Sequence, residues 1–162
     1  MPHAHDAPLE IRDDDLTGSA TRALIARHLA GMHEDSPPES VHALGIDALT
    51  GPGMRVWSAW YGAELAGVAA LKRLDDERGE LKSMRVDDRF LGRGVGRALL
   101  RHAIAAARVA GLSSLWLETG SPDSFEPARR LYASEGFVTC GPFPPYVEDP
   151  FSVFMTLDIA QR

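Results

Sequence analysis

The segment Leu91-Gly92-Arg93-Gly94-Val95-Gly96-Arg97 carries the densest chemical signal in the sequence. It stands between Glu80 to Val86, which has strand character, and a segment whose apolar residues recur at helical spacing as far as Gly111. Glycines let the backbone bend tightly and approach a ligand closely, and the first turn of a helix presents N–H groups without intrahelical partners. The stretch therefore predicts an anion-binding cradle at a helix start, best suited to phosphates.

The spacing of the three glycines narrows the choice of phosphate ligand. A dinucleotide fingerprint requires Gly-x-Gly-x-x-Gly, but the residue after Gly96 is Arg97, so the third glycine comes one position early. A Walker loop is excluded because no Gly-Lys-Ser or Gly-Lys-Thr follows. Glu118 lies about 20 residues downstream at a predicted strand end, where a ribose-binding carboxylate would stand. A nicotinamide-dependent oxidoreductase therefore stays open as an alternative function.

The segments around the glycine loop predict an α/β fold on a mixed sheet. Arg55 to Tyr61 and Leu65 to Leu74 are separated by a loop short enough for an antiparallel hairpin. Glu80 to Val86 follows as a third strand, in which strict alternation places even-numbered residues on one face and odd-numbered residues on the other. Asp123 or Ser124 is expected to cap a helix. The remaining predicted elements are helices over 17–33, 95–110 and 123–134, one or two short helical turns within 40–49, and strands near 9–11, 115–117, 137–140 and 152–157.

Composition and charge limit the class of protein. The chain has 162 residues, of which 44% are hydrophobic and 25% charged. These values predict a single globular domain over residues 1–162. The formal charge of -6 argues against a nucleic-acid partner. The chain has one cysteine, Cys140, which excludes an internal disulfide and a thiolate-rich zinc site, so no metal is expected. A single cysteine also suits a reducing compartment, so a cytoplasmic location is expected. No apolar run approaches the roughly 20 residues of a membrane span, so no membrane partner is expected.

Two motifs resemble a known family. The run 86–100, from Val86 through the glycine loop to Leu100, is similar to the acyl-CoA signature of the GNAT superfamily of N-acetyltransferases. Downstream, Ala128 to Phe137 resembles that family's second signature, with a Leu-Tyr pair and a Gly-Phe pair at the family's spacing. The resemblance covers about residues 55–158, and it extends to a bacterial subgroup often labelled indole-acetate acetyltransferases. It implies a mixed, mostly antiparallel sheet with a splayed central pair of parallel strands, flanked by helices.

The resemblance implies acetyl-CoA as co-substrate and direct transfer of the acetyl group to an amine. Backbone groups of Met84 and Val86 would hold the pantetheine and polarise the acetyl carbonyl, and backbone N–H groups from 92 to 97 would hold the pyrophosphate. The family usually has Arg or Gln at the position of Leu91 and often Asn at that of Phe125. These departures leave open a CoA-binding sensor or partner module that has lost its chemistry. The predicted cofactor-binding residues are Met84, Arg85, Val86, Leu91, Gly92, Arg93, Gly94, Val95, Gly96, Arg97, Phe125 and Arg129.

The same resemblance places Tyr132 at the family's general-acid position. A phenol with a pKa of about 10 donates a hydrogen bond to a leaving thiolate at neutral pH. An amine with a pKa of about 10.4 is mostly protonated at pH 7, so a base helps; Glu80 and Glu118 are the catalytic candidates, with His33 and His42 as alternatives. The acceptor is expected to be a small molecule or amino-acid-like, and a homodimer is possible. The predicted acceptor-site residues are His33, Lys82, Ser83, Ser121 and Tyr146.

Overall fold

The computed structural model describes residues 7–35, 37 and 45–160, except for the side chains of residues 32, 33 and 35. Its helices are α1 (Ser19–Asp35), α2 (Ile46–Leu49), α3 (Val95–Val109) and α4 (Glu126–Ser134). Its strands are β1 (Leu9–Asp13), β2 (Met54–Tyr61), β3 (Glu64–Arg73), β4 (Arg78–Val86), β5 (Ser114–Gly120), β6 (Val138–Cys140) and β7 (Ser152–Asp158). The order of these elements is the order predicted from the sequence.

The strands of the described chain form one sheet in the order β1-β2-β3-β4-β5-β7-β6. β2 and β3 pair antiparallel around Gly62 and Ala63, which confirms the predicted hairpin. β4 and β5 pair in parallel, with α3 as the crossover between them, and the other neighbouring strands are antiparallel. The predicted mixed, mostly antiparallel sheet with a central parallel pair is therefore confirmed.

β4 and β5 separate along their length. The ladder joins Arg78–Leu81 of β4 to Ser114–Leu117 of β5 and ends there. β4 nevertheless continues to Val86 and β5 to Gly120. The carboxyl ends of two parallel strands therefore diverge, and the opening between them is called the wedge below. Backbone groups that line such an opening need partners other than the neighbouring strand.

A bulge in β4 changes which side chains share a face. Across the β3–β4 ladder, Lys82 and Arg85 lie opposite Ala70 and Val68, three residues apart in β4 but only two apart in β3. Side chains directly opposite in an antiparallel ladder share a face, so Lys82 and Arg85 lie on the same face. The predicted strict alternation is therefore wrong beyond Lys82. The extra residue lies next to Ser83, whose φ of 54° is in the left-handed region that non-glycine residues seldom adopt.

Helices cover the two faces of the sheet differently. α1 packs Leu24 and Ile25 against Val68 and Ala70, so Arg85 and Lys82 belong to the face that α1 covers. Burial of each large aliphatic side chain contributes about 1.5–3 kcal/mol to stability. α3 covers the opposite face with an entirely apolar stripe made of Val95, Leu99, Leu100, Ala103, Ile104 and Ala107.

The chain enters α4 through a 3₁₀ turn at Asp123–Phe125. Neither this turn nor α4 has a side-chain cap, so the cap predicted at Asp123 or Ser124 is wrong. Pro127 lies in the first turn of α4, where its missing N–H costs no helical hydrogen bond. Within the described residues, no helix combines the length and the apolar character that a membrane crossing requires.

Candidate active site

The glycine loop reaches α3 through two residues in the left-handed region. Gly92 has φ 76° and Gly94 has φ 83°, and a side chain at either position would be strained. α3 begins at Val95, and its N-cap, Gly94, offers no side chain to bond the first N–H groups. The first turn of α3 therefore presents backbone donors and the positive end of the helix dipole to the wedge side of the sheet. This geometry fits the phosphates of a nucleotide-type ligand.

Gly96 lets the start of α3 approach its neighbours. A Cβ at this position would lie 3.2 Å from the Leu131 side chain and 3.5 Å from that of Val86. The third glycine of the loop thus serves close packing between α3, α4 and β4, whereas the first two serve the path of the backbone. Together the three form the structure that the sequence predicted, and the contact with a ligand stays a prediction.

The arginines predicted to bind the cofactor are engaged within the protein. The Arg93 guanidinium lies over the Tyr61 ring at 4.6 Å from its centroid. Arg97 bonds to Glu135, which also accepts a 3.0 Å bond from Arg101. Arg129 donates to two backbone carbonyl oxygens at the end of β5, at 2.6 and 3.1 Å. Leu91, by contrast, is 62% exposed on the loop.

A pocket of about 340 Å³ opens at the wedge. It is bounded by β4, the end of β5, α1, α4 and the loop that precedes β7. Its lining unites catalytic, cofactor and acceptor residues that lie far apart in the sequence. The predicted residues among them are Glu80, Lys82, Ser83, Met84, Arg85, Glu118, Phe125, Tyr132 and Tyr146.

Phe125 forms part of the wall where the family often has asparagine. Its ring lies directly over Gly120, where a Cβ would come within 2.3 Å of the ring. Gly120 is therefore required for the ring to occupy this position. The pocket wall at this point is therefore the apolar surface of a ring.

Glu118 and Tyr132 are two titratable groups of the pocket whose pKa values are raised by burial. Burial raises the pKa of Glu118 to about 7; Glu80 and Asp149 add to the shift, and Lys82 and the Ser152 hydroxyl oppose it. Burial also raises the pKa of Tyr132 to about 12, with a further contribution from Glu118. Glu118 thus changes charge near neutral pH, whereas Tyr132 keeps its proton.

Glu80 is already engaged by its neighbours. Its Oε2 accepts a hydrogen bond of 2.5 Å from the Tyr146 hydroxyl and one of 3.1 Å from Lys82 Nζ. Lys82 Nζ also donates to the Tyr146 oxygen at 2.7 Å. The side chains of Glu80 and Lys82 are only 3% and 9% exposed. Burial and the bond to Glu80 raise the pKa of Tyr146, so this hydroxyl stays protonated.

The remaining acceptor-site predictions have different outcomes. Ser83 Oγ is buried in the pocket lining, whereas Ser121 lies outside that lining and donates to the Pro150 carbonyl at 2.6 Å. The His33 side chain and His42 fall outside the described residues. Among the described residues no cluster of histidine, cysteine or carboxylate side chains is arranged to hold a metal ion.

His28 is a pocket residue that the sequence analysis missed. It lines the pocket from α1, and burial, followed by the charge of Arg85, lowers its pKa to about 4. The signal was available in the helical pattern. His28 follows the buried residues Leu24 and Ile25 by four and three positions, which places it on the same side of α1.

The cradle and the wedge have the geometry of a phosphate-binding site at the carboxyl ends of two parallel strands. Residues 20–137 match the Acetyltransferase (GNAT) family. The chain is 53% identical over 148 residues to the uncharacterized N-acetyltransferase YsnE of Bacillus subtilis, covering 91% of this chain and 98% of YsnE. It is 40% identical over 133 residues to an IAA acetyltransferase of Azospirillum brasilense, covering 81% and 83% of the two chains. The chain therefore belongs to the GNAT acetyltransferase family.

Solved structures agree with this assignment. A Klebsiella pneumoniae protein described as an acyl-CoA N-acyltransferase superposes with a TM-score of 0.78 at 28% identity, over 96% of this chain and 100% of that one. A GNAT acetyltransferase of Elizabethkingia anophelis with acetyl-CoA bound has the same fold, with a TM-score of 0.67 at 20% identity over 93% and 97% of the chains. As a member of the GNAT acetyltransferase family, the protein is an acetyltransferase with acetyl-CoA as co-substrate, and the nicotinamide alternative is set aside.

Proposed function

We propose that this protein transfers the acetyl group of acetyl-CoA directly to the amine of a small-molecule or amino-acid-like acceptor. The observation that carries the proposal is that Glu118 and Tyr132 line one pocket at the wedge, where the carboxyl ends of β4 and β5 diverge. Family membership supports acetyl transfer, and this pair supports proton transfer at the site where the two substrates would meet.

Glu118 fits the role of general base better than Glu80. A base is most effective when its pKa lies near the working pH, and burial raises the pKa of Glu118 to about 7. Glu80 Oε2 is already occupied by two donors from Tyr146 and Lys82. Proton transfer to Glu80 would disturb a buried ion pair, so Glu80 serves the architecture of the pocket.

The proposed reaction needs two proton transfers, one to Glu118 and one to the departing thiolate. The protonated acceptor amine gives up one proton to Glu118, which later releases it to solvent, and the neutral nitrogen attacks the carbonyl carbon of the thioester. A C–N bond forms, the C–S bond breaks, and the second proton of the nitrogen finally neutralises the thiolate. Tyr132, with its pKa raised to about 12, remains a hydroxyl and donates a hydrogen bond to the departing sulfur.

Backbone groups complete the proposed site. The N–H groups of residues 92–97 would hold the pyrophosphate, and backbone groups of Met84 and Val86 would hold the pantetheine and polarise the carbonyl. Both residues lie on β4 beyond its last pairing with β5, so β4 borders an opening rather than a strand on the β5 side at this point. Preorganised donors of this kind stabilise the negative charge that develops on the carbonyl oxygen.

The test is release of CoA thiol with acetyl-CoA and a panel of amino acids, polyamines, aminoglycosides and peptides. With an active acceptor, kcat/KM should fall below about pH 7, because Glu118 is then protonated. Glu118→Gln should lower kcat/KM at pH 8 by about 10²-fold or more, and it should abolish the acidic limb, the fall of kcat/KM below about pH 7. Glu10→Gln, on an exposed residue of β1, is the matched control and should leave the profile unchanged.

Two results would contradict this assignment. If Glu80→Gln rather than Glu118→Gln removes the limb, the roles of the two carboxylates are reversed. If calorimetry detects acetyl-CoA binding but no amine releases thiol, the protein is the CoA-binding module that the departures at Leu91 and Phe125 leave open. A cytoplasmic location and a homodimer stay predictions of the sequence, to be measured by fractionation and by light scattering.

A further inference from the structure

The α1-covered face of β4 carries polar side chains that the proposed chemistry does not use. The bulge next to Ser83 brings Arg85 onto the face that holds Lys82, whereas strict alternation would turn it towards α3. Arg85 and Ser83 both line the pocket, as does His28 from α1. The acceptor side of the pocket is therefore bordered by a guanidinium, a hydroxyl and an imidazole.

Two of these groups have unused hydrogen-bonding capacity. Arg85 Nε and Ser83 Oγ are buried, and neither has a hydrogen-bond partner among the described residues. A buried donor without a partner costs about 1–3 kcal/mol, so such groups in a pocket indicate a bond that forms with a ligand. An anionic oxygen is the natural partner of an arginine N–H, because guanidinium and carboxylate match in charge and in planar geometry.

The charge of Arg85 acts on the pocket. Its Nη2 pairs with Asp88 at 3.1 Å, but the Asp88 side chain is 77% exposed and the pair is screened by water. Arg85 instead contributes, after burial, to the lowered pKa of His28, which is neutral at physiological pH. Glu34 is an acidic residue of the same rim, and it is exposed. The side of the pocket near Arg85 and His28 is therefore suited to a negative group.

The deep end of the pocket has the opposite character. Glu118 becomes negative near neutral pH, and the charges of Glu80 and Lys82 offset each other at 3.1 Å. A cationic amine is favoured there. We infer that the acceptor is an amino acid whose amine meets Glu118 and whose carboxylate is bound by Arg85 Nε and Ser83 Oγ. This inference rests on the proposed acetyl transfer and names the class of acceptor for it.

The experiment compares each acid with its own amide. The twenty L-amino acids, β-alanine and γ-aminobutyrate are assayed beside their carboxamides, with spermidine as an amine that lacks a carboxylate. The amine of an amide is less basic and more often neutral, so intrinsic reactivity favours the amide. The best acid should nevertheless exceed its amide in kcat/KM by about 10- to 100-fold, the range expected for hydrogen bonds to a charged group.

Arg85→Gln should reduce the acid-to-amide ratio to about one, through KM for the acid, and should leave KM for the amide and calorimetric acetyl-CoA binding unchanged. Ser83→Ala should reduce the ratio by a smaller factor. Arg27→Gln is the matched control, because Arg27 is an α1 guanidinium that pairs with Asp87 at 3.2 Å and does not line the pocket. Its ratio should equal that of the native protein. Thermal melting checks that each variant is folded.

Several results would overturn the inference, and they separate it from the proposed function. If amides or spermidine are acetylated as fast as the acids, and Arg85→Gln slows all of them alike, the carboxylate site is wrong. The proposed acetyltransferase function then still stands. A loss of acetyl-CoA affinity in Arg85→Gln assigns Arg85 to the cofactor, as the sequence predicted. Absence of thiol release from every amine removes the proposed function and this inference together.

Discussion

The cradle at residues 92–97, which packs near Val86 of β4, and the α1-covered face of β4, which lines the pocket, are built by different means. The cradle is made of backbone, and its shape follows from glycines at 92, 94 and 96 and from the start of α3. The α1 face is made of charged side chains, Glu80, Lys82 and Arg85, placed by a bulge and by a distant loop. A backbone site suits a ligand part that every member of a family shares, whereas a side-chain site can change with each acceptor.

This difference predicts that substitutions on the α1 face have the larger effects on stability. Glu80→Gln should destabilise the protein most, by about 3–5 kcal/mol, because it leaves Lys82 as a buried charge without its carboxylate. Urea denaturation at pH 7.5 measures the change. The double variant Glu80→Gln with Lys82→Met should recover part of the loss, since the orphaned charge is then removed. A loss below about 1 kcal/mol in the single variant would show that the pair is dispensable.

The next largest effect on stability concerns Glu118, where a substitution should stabilise the protein rather than destabilise it. Its folded-state pKa of about 7 lies above the ordinary value of 4.5, so its contribution to stability is fully present below pH 4.5 and is lost as the pH rises through 7. Glu118→Gln stays neutral and should be more stable than the native protein at pH 8.5, by about 3 kcal/mol. Melting curves should converge as the pH approaches 5. Equal stability at pH 8.5 would mean that this carboxylate is not strained by burial.

The smallest of the three effects tests the cradle. Gly94→Ala places a side chain at φ 83° and should weaken acetyl-CoA binding about tenfold, since a left-handed residue with a Cβ costs about 1–2 kcal/mol. Gly18→Ala is the control, because a Cβ at that position meets no atom within 4 Å. Calorimetry gives both affinities. Unchanged affinity in Gly94→Ala would show that the loop does not need its backbone path to bind the ligand.

The sequence predicted the parts of the molecule that depend on neighbouring residues. The glycine loop and the α3 stripe are local patterns, so their geometry and their place beside a parallel strand pair were accessible. The choice between Glu80 and Glu118 was not, because it depends on Tyr146, a loop residue 66 positions away from Glu80. The face of Arg85 was hidden as well, since no residue pattern in β4 shows the bulge next to Ser83.

The early end of the β4–β5 ladder has a consequence for the whole fold. Beyond Leu81 and Leu117 the two strands no longer pair with each other, although both continue. A ligand that bonds to these strand edges binds the folded chain and not the denatured one. It therefore adds RT ln(1 + [L]/Kd) to the free energy of unfolding, which is about 2.7 kcal/mol when the ligand concentration is one hundred times Kd. The melting temperature therefore reports the binding of unreactive thioester analogues, which no activity assay detects.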